Sequence, residues 1–411
     1  MLAEFLVGVL LRLSTALTPI SQWFEERVEI TTPTSSWKRI EEGIALKQFG
    51  LDPYAGDIVH EPPLNIMLYS IISSYASYFF ILMDILSALL LKESIERIHK
   101  NMVDKEISQE CHSTFEKLKM KLNERTGYYS LLIFLFNPYS VALCASKSTQ
   151  CASNLLYTLI LYGVSTEKVV LVALATSLAT YSSLFPVMVL VPVLLHHRDR
   201  ALSGITTFVL STCTLHYISY VISGYSWGYL ESVYGFVLTV PDYTPNIGAA
   251  WYFFSEMFSH FTVLFLSVYQ LNLLLYSLPL SLKFPNSPPL VIFSLLMVLA
   301  LFKPYTCVGD YVVPFAMLPL WLHLFKYLQQ FYIVAVATVV LTLLWPVLWY
   351  LWVHCLNANS NFYFAVTLAF VLFQSFLLSD ILYAKMRRDY ALKNGIETKK
   401  IDGQDTVVTL N

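Results

Sequence analysis

The sequence predicts an all-α polytopic membrane protein with about twelve transmembrane helices, ten being the other count it allows. Three observations carry this. Of the 411 residues, 56% are hydrophobic and 13% charged, about half the charged share of an ordinary soluble domain. The apolar runs are helix-length rather than ten-residue alternating strands, and in lipid only helices or closed barrels satisfy their own backbone. Lys and Arg gather in a few polar connections, the asymmetry that orients helical membrane proteins.

In chain order, 2–20 is the first span; no basic segment precedes it and it contains Glu4 and Arg12, so it reads as a retained anchor rather than a signal peptide. Spans follow at 64–91 and 127–145. The stretch 153–196 is cut by Gly163, Glu167 and Pro186, giving either three short crossings or one crossing with re-entrant pieces. Further spans lie at 203–223, 251–280, 331–353 and 362–384, with shorter, proline-bounded ones at 290–302 and 312–327. Three crossings in 153–196 make twelve in all; one makes ten and leaves every other loop on the same side.

The loop 92–126 holds Lys92, Arg97, Lys100, Lys105, Lys117, Lys119, Lys121 and Arg125, and the tail 385–411 holds Lys385, Arg387, Arg388, Lys393, Lys399 and Lys400. Both are expected to be cytosolic, as is the His196 to Arg200 turn. The expectation is one multi-spanning domain, 1–384, followed by a cytosolic tail. Five turn-rich segments, 21–63, 146–151, 224–250, 303–310 and 354–361, then share the opposite side, where function is expected.

With a formal net charge of −2 and basic residues scattered or paired with acids, no long positive surface is available for a nucleic-acid backbone. Cys111, Cys144, Cys151, Cys213, Cys307 and Cys355 have no CxxC or metal-ligand spacing and read as packing residues or free thiols. A Cys307 to Cys355 disulfide stays open at this level.

Residues 21–390 carry, in order, Arg27-Val28-Glu29, Ser35-Ser36-Trp37-Lys38-Arg39, Pro53-Tyr54-Ala55-Gly56, Leu135-Phe136-Asn137-Pro138-Tyr139 and Ala145-Ser146-Lys147-Ser148-Thr149. Further on come Tyr234-Gly235-Phe236, Val240-Pro241-Asp242-Tyr243-Thr244-Pro245-Asn246-Ile247-Gly248, Trp251-Tyr252-Phe253-Phe254-Ser255-Glu256-Met257-Phe258, Trp345-Pro346-Val347-Leu348-Trp349 and Asn357-Ala358-Asn359-Ser360-Asn361-Phe362. This series resembles the U-subunit family of the glycosylphosphatidylinositol (GPI) transamidase. The resemblance implies a non-catalytic, multi-pass subunit in the endoplasmic reticulum membrane, with the motif-bearing loops luminal. It implies as partners the other transamidase subunits, including a caspase-like catalytic subunit that supplies the cysteine chemistry, and the GPI lipid, which this subunit helps to bind and present.

The resemblance extends to the C-type glycosyltransferase membrane fold, whose first luminal loop carries an acidic pair to activate an acceptor or hold a metal. Here the corresponding stretch is Arg27-Val28-Glu29; an arginine repels a divalent ion and removes a base. No metal, cofactor or catalytic residue is therefore expected. The alternative, a dolichol-phosphate-dependent mannosyltransferase of GPI biosynthesis, loses ground on the same residues. A transporter would need intramembrane charges about a cavity, and Asp84 is one acid well inside a span.

The candidate lipid-binding residues follow from chemistry and placement. On a continuous helix, Trp251, Phe254, Phe258 and Phe261 share one face while Phe253, Glu256 and His260 share another, an aromatic wall beside a polar stripe; the bland alternative is an interfacial aromatic belt. Asp242 and Asn246 sit in a proline-restricted turn suited either to capping or to glycan hydroxyls. Lys303 suits a lipid phosphate or snorkelling to the interface. Asn357, Asn359 and Asn361 both donate and accept, which suits a hydroxyl-rich ligand and equally a helix cap. Moving an acyl chain from lipid into an apolar groove gains little, so discrimination from ordinary phospholipids has to come from polar contacts.

Overall fold

The computed structural model describes residues 2–108, 123–394, 400–401 and 404–405; Cys111, Lys117, Lys119, Lys121 and Lys399 lie outside them. The chain runs through α1 (Leu2–Ala16), α2 (Ile20–Glu25), α3 (Trp37–Gln48), α4 (Pro63–Ile72), α5 (Ala76–Ser108), α6 (Thr126–Phe136), α7 (Pro138–Ala145), α8 (Gln150–Ser165), α9 (Val169–Ser183) and α10 (Leu190–His196). It continues through α11 (Ala201–Ile222), α12 (Phe236–Thr239), α13 (Ala250–Ser255), α14 (Ser259–Leu275), α15 (Ser277–Lys283), α16 (Pro288–Phe302), α17 (Val312–Met317), α18 (Phe331–Trp349) and α19 (Ser360–Asn394). Apart from these and short 3₁₀ and π turns, the regular structure among the described residues is one two-residue pairing of Lys400–Ile401 with Gln404–Asp405.

Six helical stretches are long and apolar enough to cross a membrane: Pro63–Ile107, Arg198–Ile222, Ser259–Lys283, Val308–Tyr327, Phe331–His354 and Ser360–Lys393. The pair α6 and α7, bent by 50°, makes a seventh. The shortfall against the expected twelve is one of length. Helices α1, α8, α9 and α16 have 15 or 16 residues, a rise of about 24 Å at most against a hydrocarbon core of about 30 Å. The stretch 153–196 resolves into three helical pieces, α8, α9 and Phe185–His196. Its breaks fall at Glu167 and Leu184, both with positive φ.

Helix α16 lies at the centre, with every residue from Leu290 to Leu301 buried. A helix apolar all round is one surrounded by protein; Val308–Tyr327 is its buried neighbour. Around them α5 packs on α8, α9 on α11, and α18 on α19.

The bend in the third span has a chemical cause. Pro138 lacks an N–H, and the Tyr139 N–H turns to Asn137 Oδ1 (3.0 Å), so the carbonyls of Phe134 and Leu135 lose their helical donors. Arg12 supplies replacements, donating to Leu135 O (2.8 Å) and Phe134 O (3.4 Å). Its charge is met by Asp84 (2.5 Å), whose carboxylate also accepts from Ser140 (2.9 Å). The acid seen inside the second span thus belongs to a buried clamp joining α1, α5 and the α6–α7 bend.

The expected span 251–280 is not one helix. Helix α13 stops at Ser255, Phe258 is extended, and α14 begins at Ser259. The projection that put Trp251, Phe254, Phe258 and Phe261 on one face therefore fails beyond Phe254. No glycine or proline marks this break; Trp251 and Phe254 are held in the core while Glu256, Phe258 and His260 are exposed, and the tertiary contacts override the periodicity. The Cys307 to Cys355 disulfide is also absent: both thiols are free, Cys307 buried in the cap of a 3₁₀ turn.

Candidate functional site

The five turn-rich segments meet at one end of the bundle. Lys147 pairs with Glu25 (2.9 Å), and the Thr149 N–H donates to Ser35 O (3.2 Å). Arg39 reaches Asp242 (3.2 Å), and the His60 ring N–H donates to Ser232 O (2.8 Å). Val308 N–H bonds Glu29 O (2.9 Å), Asn246 donates to Pro304 O (3.2 Å), and the Tyr252 hydroxyl donates to Asn361 Oδ1. At the other end Arg388 of α19 makes a bidentate pair with Glu106 of α5 (2.6 and 2.8 Å), so the expected cytosolic loop and tail start side by side.

The Arg27-Val28-Glu29 motif is an internal ion pair. Arg27 Nε and Nη2 donate to the two Glu29 oxygens (3.0 and 2.7 Å), both side chains are buried, and the guanidinium lies over Trp23 and Trp349. Both Glu29 oxygens are thus engaged by the guanidinium, and the pair neutralises itself within the protein.

Beside it lies a small, partly enclosed pocket with about 50 Å³ of accessible space, lined by Thr34, Ser35, His60, Glu61, Asn65, Tyr69, Thr149, Gln150, Ser153, Ser182, Ser183, Tyr234, Lys303 and Tyr305 among others. Asn65 Nδ2 donates to Glu61 Oε2 (2.9 Å) and to Ser182 Oγ (3.1 Å). Burial pushes the Glu61 carboxyl up to about 7, against the opposing pull of hydrogen bonds from Asn65 and Thr149. Burial also lowers His60; its ring stacks on Phe236, which stacks on Tyr305. The Gln150 amide nitrogen is buried without a partner.

Leu184 and Phe185 line this pocket and also an apolar groove of about 620 Å³, walled by Val187, Leu238, Thr239 and the α14 residues Thr262, Val263, Leu266, Ser267, Gln270, Leu271 and Leu274. Helix α9 ends here, where Leu184 turns to φ 47°. A polar pocket adjacent to an apolar trough, with Leu184 and Phe185 between them, suits an amphiphile: hydroxyls and charge in one part, hydrocarbon in the other.

The residues expected at the site divide. Lys303 lines the pocket, its ammonium on Asp310 (2.7 Å). Asp242 faces the loops, accepting from Arg39 and from the Thr244 N–H (2.8 Å), and Asn246, buried, holds its own turn through the Gly248 N–H (2.8 Å). Trp251 packs with Trp352, Tyr363 and Phe364, and Phe254 with Phe236 and Tyr305; both are core, and the groove wall is the next helix. Glu256, Phe258 and His260 are exposed, the last two in ring contact, and Glu256 and His260 no longer share a helix face. Asn357, Asn359 and Asn361 are exposed, with Asn359 Oδ1 accepting from the Phe362 N–H (3.3 Å) as a cap.

Sequence reasoning missed Glu61, Asn65 and Gln150. Glu61 and Asn65 stand four apart at the start of α4, which Pro62 caps and Pro63 opens. No local signal marks Gln150, which enters the pocket as the first residue of α8.

Known proteins extend the comparison to whole-chain similarity. The family model "GPI transamidase subunit PIG-U" matches residues 6–370. The mouse and human proteins named GPI-anchor transamidase component PIGU are each 35% identical, over 98% of both chains. The Saccharomyces cerevisiae GPI transamidase component GAB1 is 30% identical over 96% of both chains. No group of three or more His, Cys, Asp or Glu residues suited to a metal ion occurs among the described residues. With the family model spanning most of the chain and relatives in mammals and yeast matching end to end, this chain belongs to the GPI transamidase subunit PIG-U family.

Proposed function

We propose that this chain is a non-catalytic subunit of the GPI transamidase in the endoplasmic reticulum membrane, and that it holds the GPI lipid for transfer to protein C-termini. The adjacency of the polar pocket and the apolar groove, which share Leu184 and Phe185 in their linings, carries the reading. The head group occupies the luminal pocket, the acyl chains lie along α14, and the exposed Asn357, Asn359, Asn361, Glu256, Phe258 and His260 rim faces the glycan and the caspase-like catalytic subunit. Asp242, Asn246, Trp251 and Phe254 support that rim from behind. The buried Arg27–Glu29 pair supports a binding role over sugar transfer, because the loop acid at the position of the glycosyltransferase pair is occupied.

A twelve-crossing arrangement, resembling the C-type glycosyltransferase fold, accommodates the same helices. It counts the six long stretches, the bent pair, and the five shorter helices α1, α8, α9, Phe185–His196 and α16; short crossings are tolerated where protein rather than lipid surrounds them.

Ser267 is exposed on the groove wall, so Ser267→Trp fills the trough without disturbing the core. In purified transamidase, this variant should assemble at normal stoichiometry and lose the co-purifying GPI lipid measured by mass spectrometry. Wild-type lipid content in an assembled Ser267→Trp complex would overturn the reading.

A further inference from the structure

Among the described residues at the interlocked end, three carboxylates are buried: Glu29, Glu61 and Asp310. Two have their cations, Glu29 with Arg27 (2.7 Å) and Asp310 with Lys303 (2.7 Å). The nearby Arg39 and Lys147 are taken by Asp242 (3.2 Å) and Glu25 (2.9 Å). Glu61 has amide and hydroxyl neighbours, Asn65 and Thr149, and no cation within ion-pair distance. A buried carboxylate without a counter-ion is costly unless it is protonated or a ligand brings the charge.

We propose that Glu61 is the counter-ion for an aliphatic ammonium carried by an amino sugar close to the lipid end of the head group. The inference rests on the pocket being the head-group site and adds to it the chemical group that is read. Three features point to this ligand. The carboxylate selects a cation, and the pocket's remaining polar groups, Ser35, Thr149, Ser153 and Ser182 with the unpartnered Gln150 amide, suit a ring bearing several hydroxyls. The pocket also shares Leu184 and Phe185 with the groove, so an amine seated here is only a short distance from acyl chains lying in that groove. An amine at the far end of a long glycan would not reach back, and a terminal amine held as an ammonium on Glu61 would have no lone pair for attack on an acyl group. The lipid-proximal sugar amine is the group that satisfies both conditions.

The test uses the assembled complex in nanodiscs with soluble probes: glucosaminyl-inositol, its N-acetylated counterpart and O-phosphoethanolamine. Wild type should bind glucosaminyl-inositol at least about tenfold more tightly than the N-acetyl form, and Glu61→Gln, which keeps an acceptor for Asn65, should bind the two equally. Equal binding of the two forms by wild type, binding of neither, tighter binding of O-phosphoethanolamine, or retained selectivity in Glu61→Gln would each overturn the assignment. The wild-type comparison decides even if the variant fails to assemble. Loss of lipid in Ser267→Trp together with no amine selectivity removes this inference alone; retained lipid in Ser267→Trp removes the head-group site itself.

Discussion

At the scale of single residues, two buried acids in one loop do different things because of what neutralises them. Glu29 is matched by Arg27 on both oxygens, and removing one member leaves the other charge buried and alone, a loss of about 3 to 5 kcal/mol. Arg27→Met or Glu29→Gln should therefore lower the thermal stability of the subunit, and the double variant Arg27→Met/Glu29→Leu should recover most of it; additive losses in that double-mutant cycle would show the pair contributes nothing jointly. Glu61 is matched by no cation, and its carboxyl is pushed up to about 7 from an ordinary 4.5. The folded state then holds a proton that the unfolded state releases. Stability is full below about pH 4.5, falls as pH rises to about 7, and is lower above that by on the order of 3 kcal/mol. Glu61→Gln should flatten this dependence and be the more stable protein at pH 8 by thermal melting; an unchanged pH profile would place the proton elsewhere. Sequence made the absence of an acidic pair legible at Arg27-Val28-Glu29. It did not reveal Glu61, because burial of a loop acid is decided by Asn65, Thr149 and Ser182, which arrive from α4, the cap of α8 and α9.

Among elements, the long apolar runs at 64–91, 331–353 and 362–384 were readable because length and hydropathy alone define a crossing helix, and each falls within a long helix. The run 251–280 was misread for the converse reason: Glu256-Met257-Phe258 contains no helix breaker, and the turn there follows from where Trp251 and Phe254 pack. The third span shows how such a break is held. Proline releases two carbonyls, and a cation borrowed from α1 satisfies them, which obliges Asp84 to balance the charge. Arg12→Leu leaves an unpaired carboxylate and orphaned carbonyls in the bundle interior, so its expression and assembly should fall sharply in pull-downs of the partner subunits. Pro138→Ala restores a helical N–H donor and should lessen the demand for Arg12: Arg12→Leu/Asp84→Leu/Pro138→Ala is expected to assemble better than Arg12→Leu/Asp84→Leu. No difference between those two would mean the guanidinium serves the charge and not the bend.

Across the whole molecule, the alternation of charged and turn-rich connections predicts two chemically distinct ends, and the contacts sort the chain into two ends. Five segments far apart in sequence interlock through Lys147–Glu25, Arg39–Asp242, Asn246–Pro304 and Tyr252–Asn361, while Arg388–Glu106 ties the ends of α5 and α19 together on the other side. Parity along the chain made this legible; the number of crossings was not, because helices of 15 or 16 residues lie between the lengths of core helices and spans. The Lys/Arg-rich connections predict which end is cytosolic, because basic residues are retained on that side. The native Cys355 reports directly on this. It is partly exposed in the connection that carries Asn357 and Asn359, whereas Lys393 is exposed near the end of α19. In a background with the other cysteines replaced by alanine, a membrane-impermeant maleimide added to intact microsomes should leave Cys355 unmodified and react with it after permeabilisation. In the same background with Cys355→Ala, Lys393→Cys should react before permeabilisation. Labelling of Cys355 in sealed vesicles would put the pocket and its rim on the cytosolic face, away from the luminal chemistry that the proposed role requires.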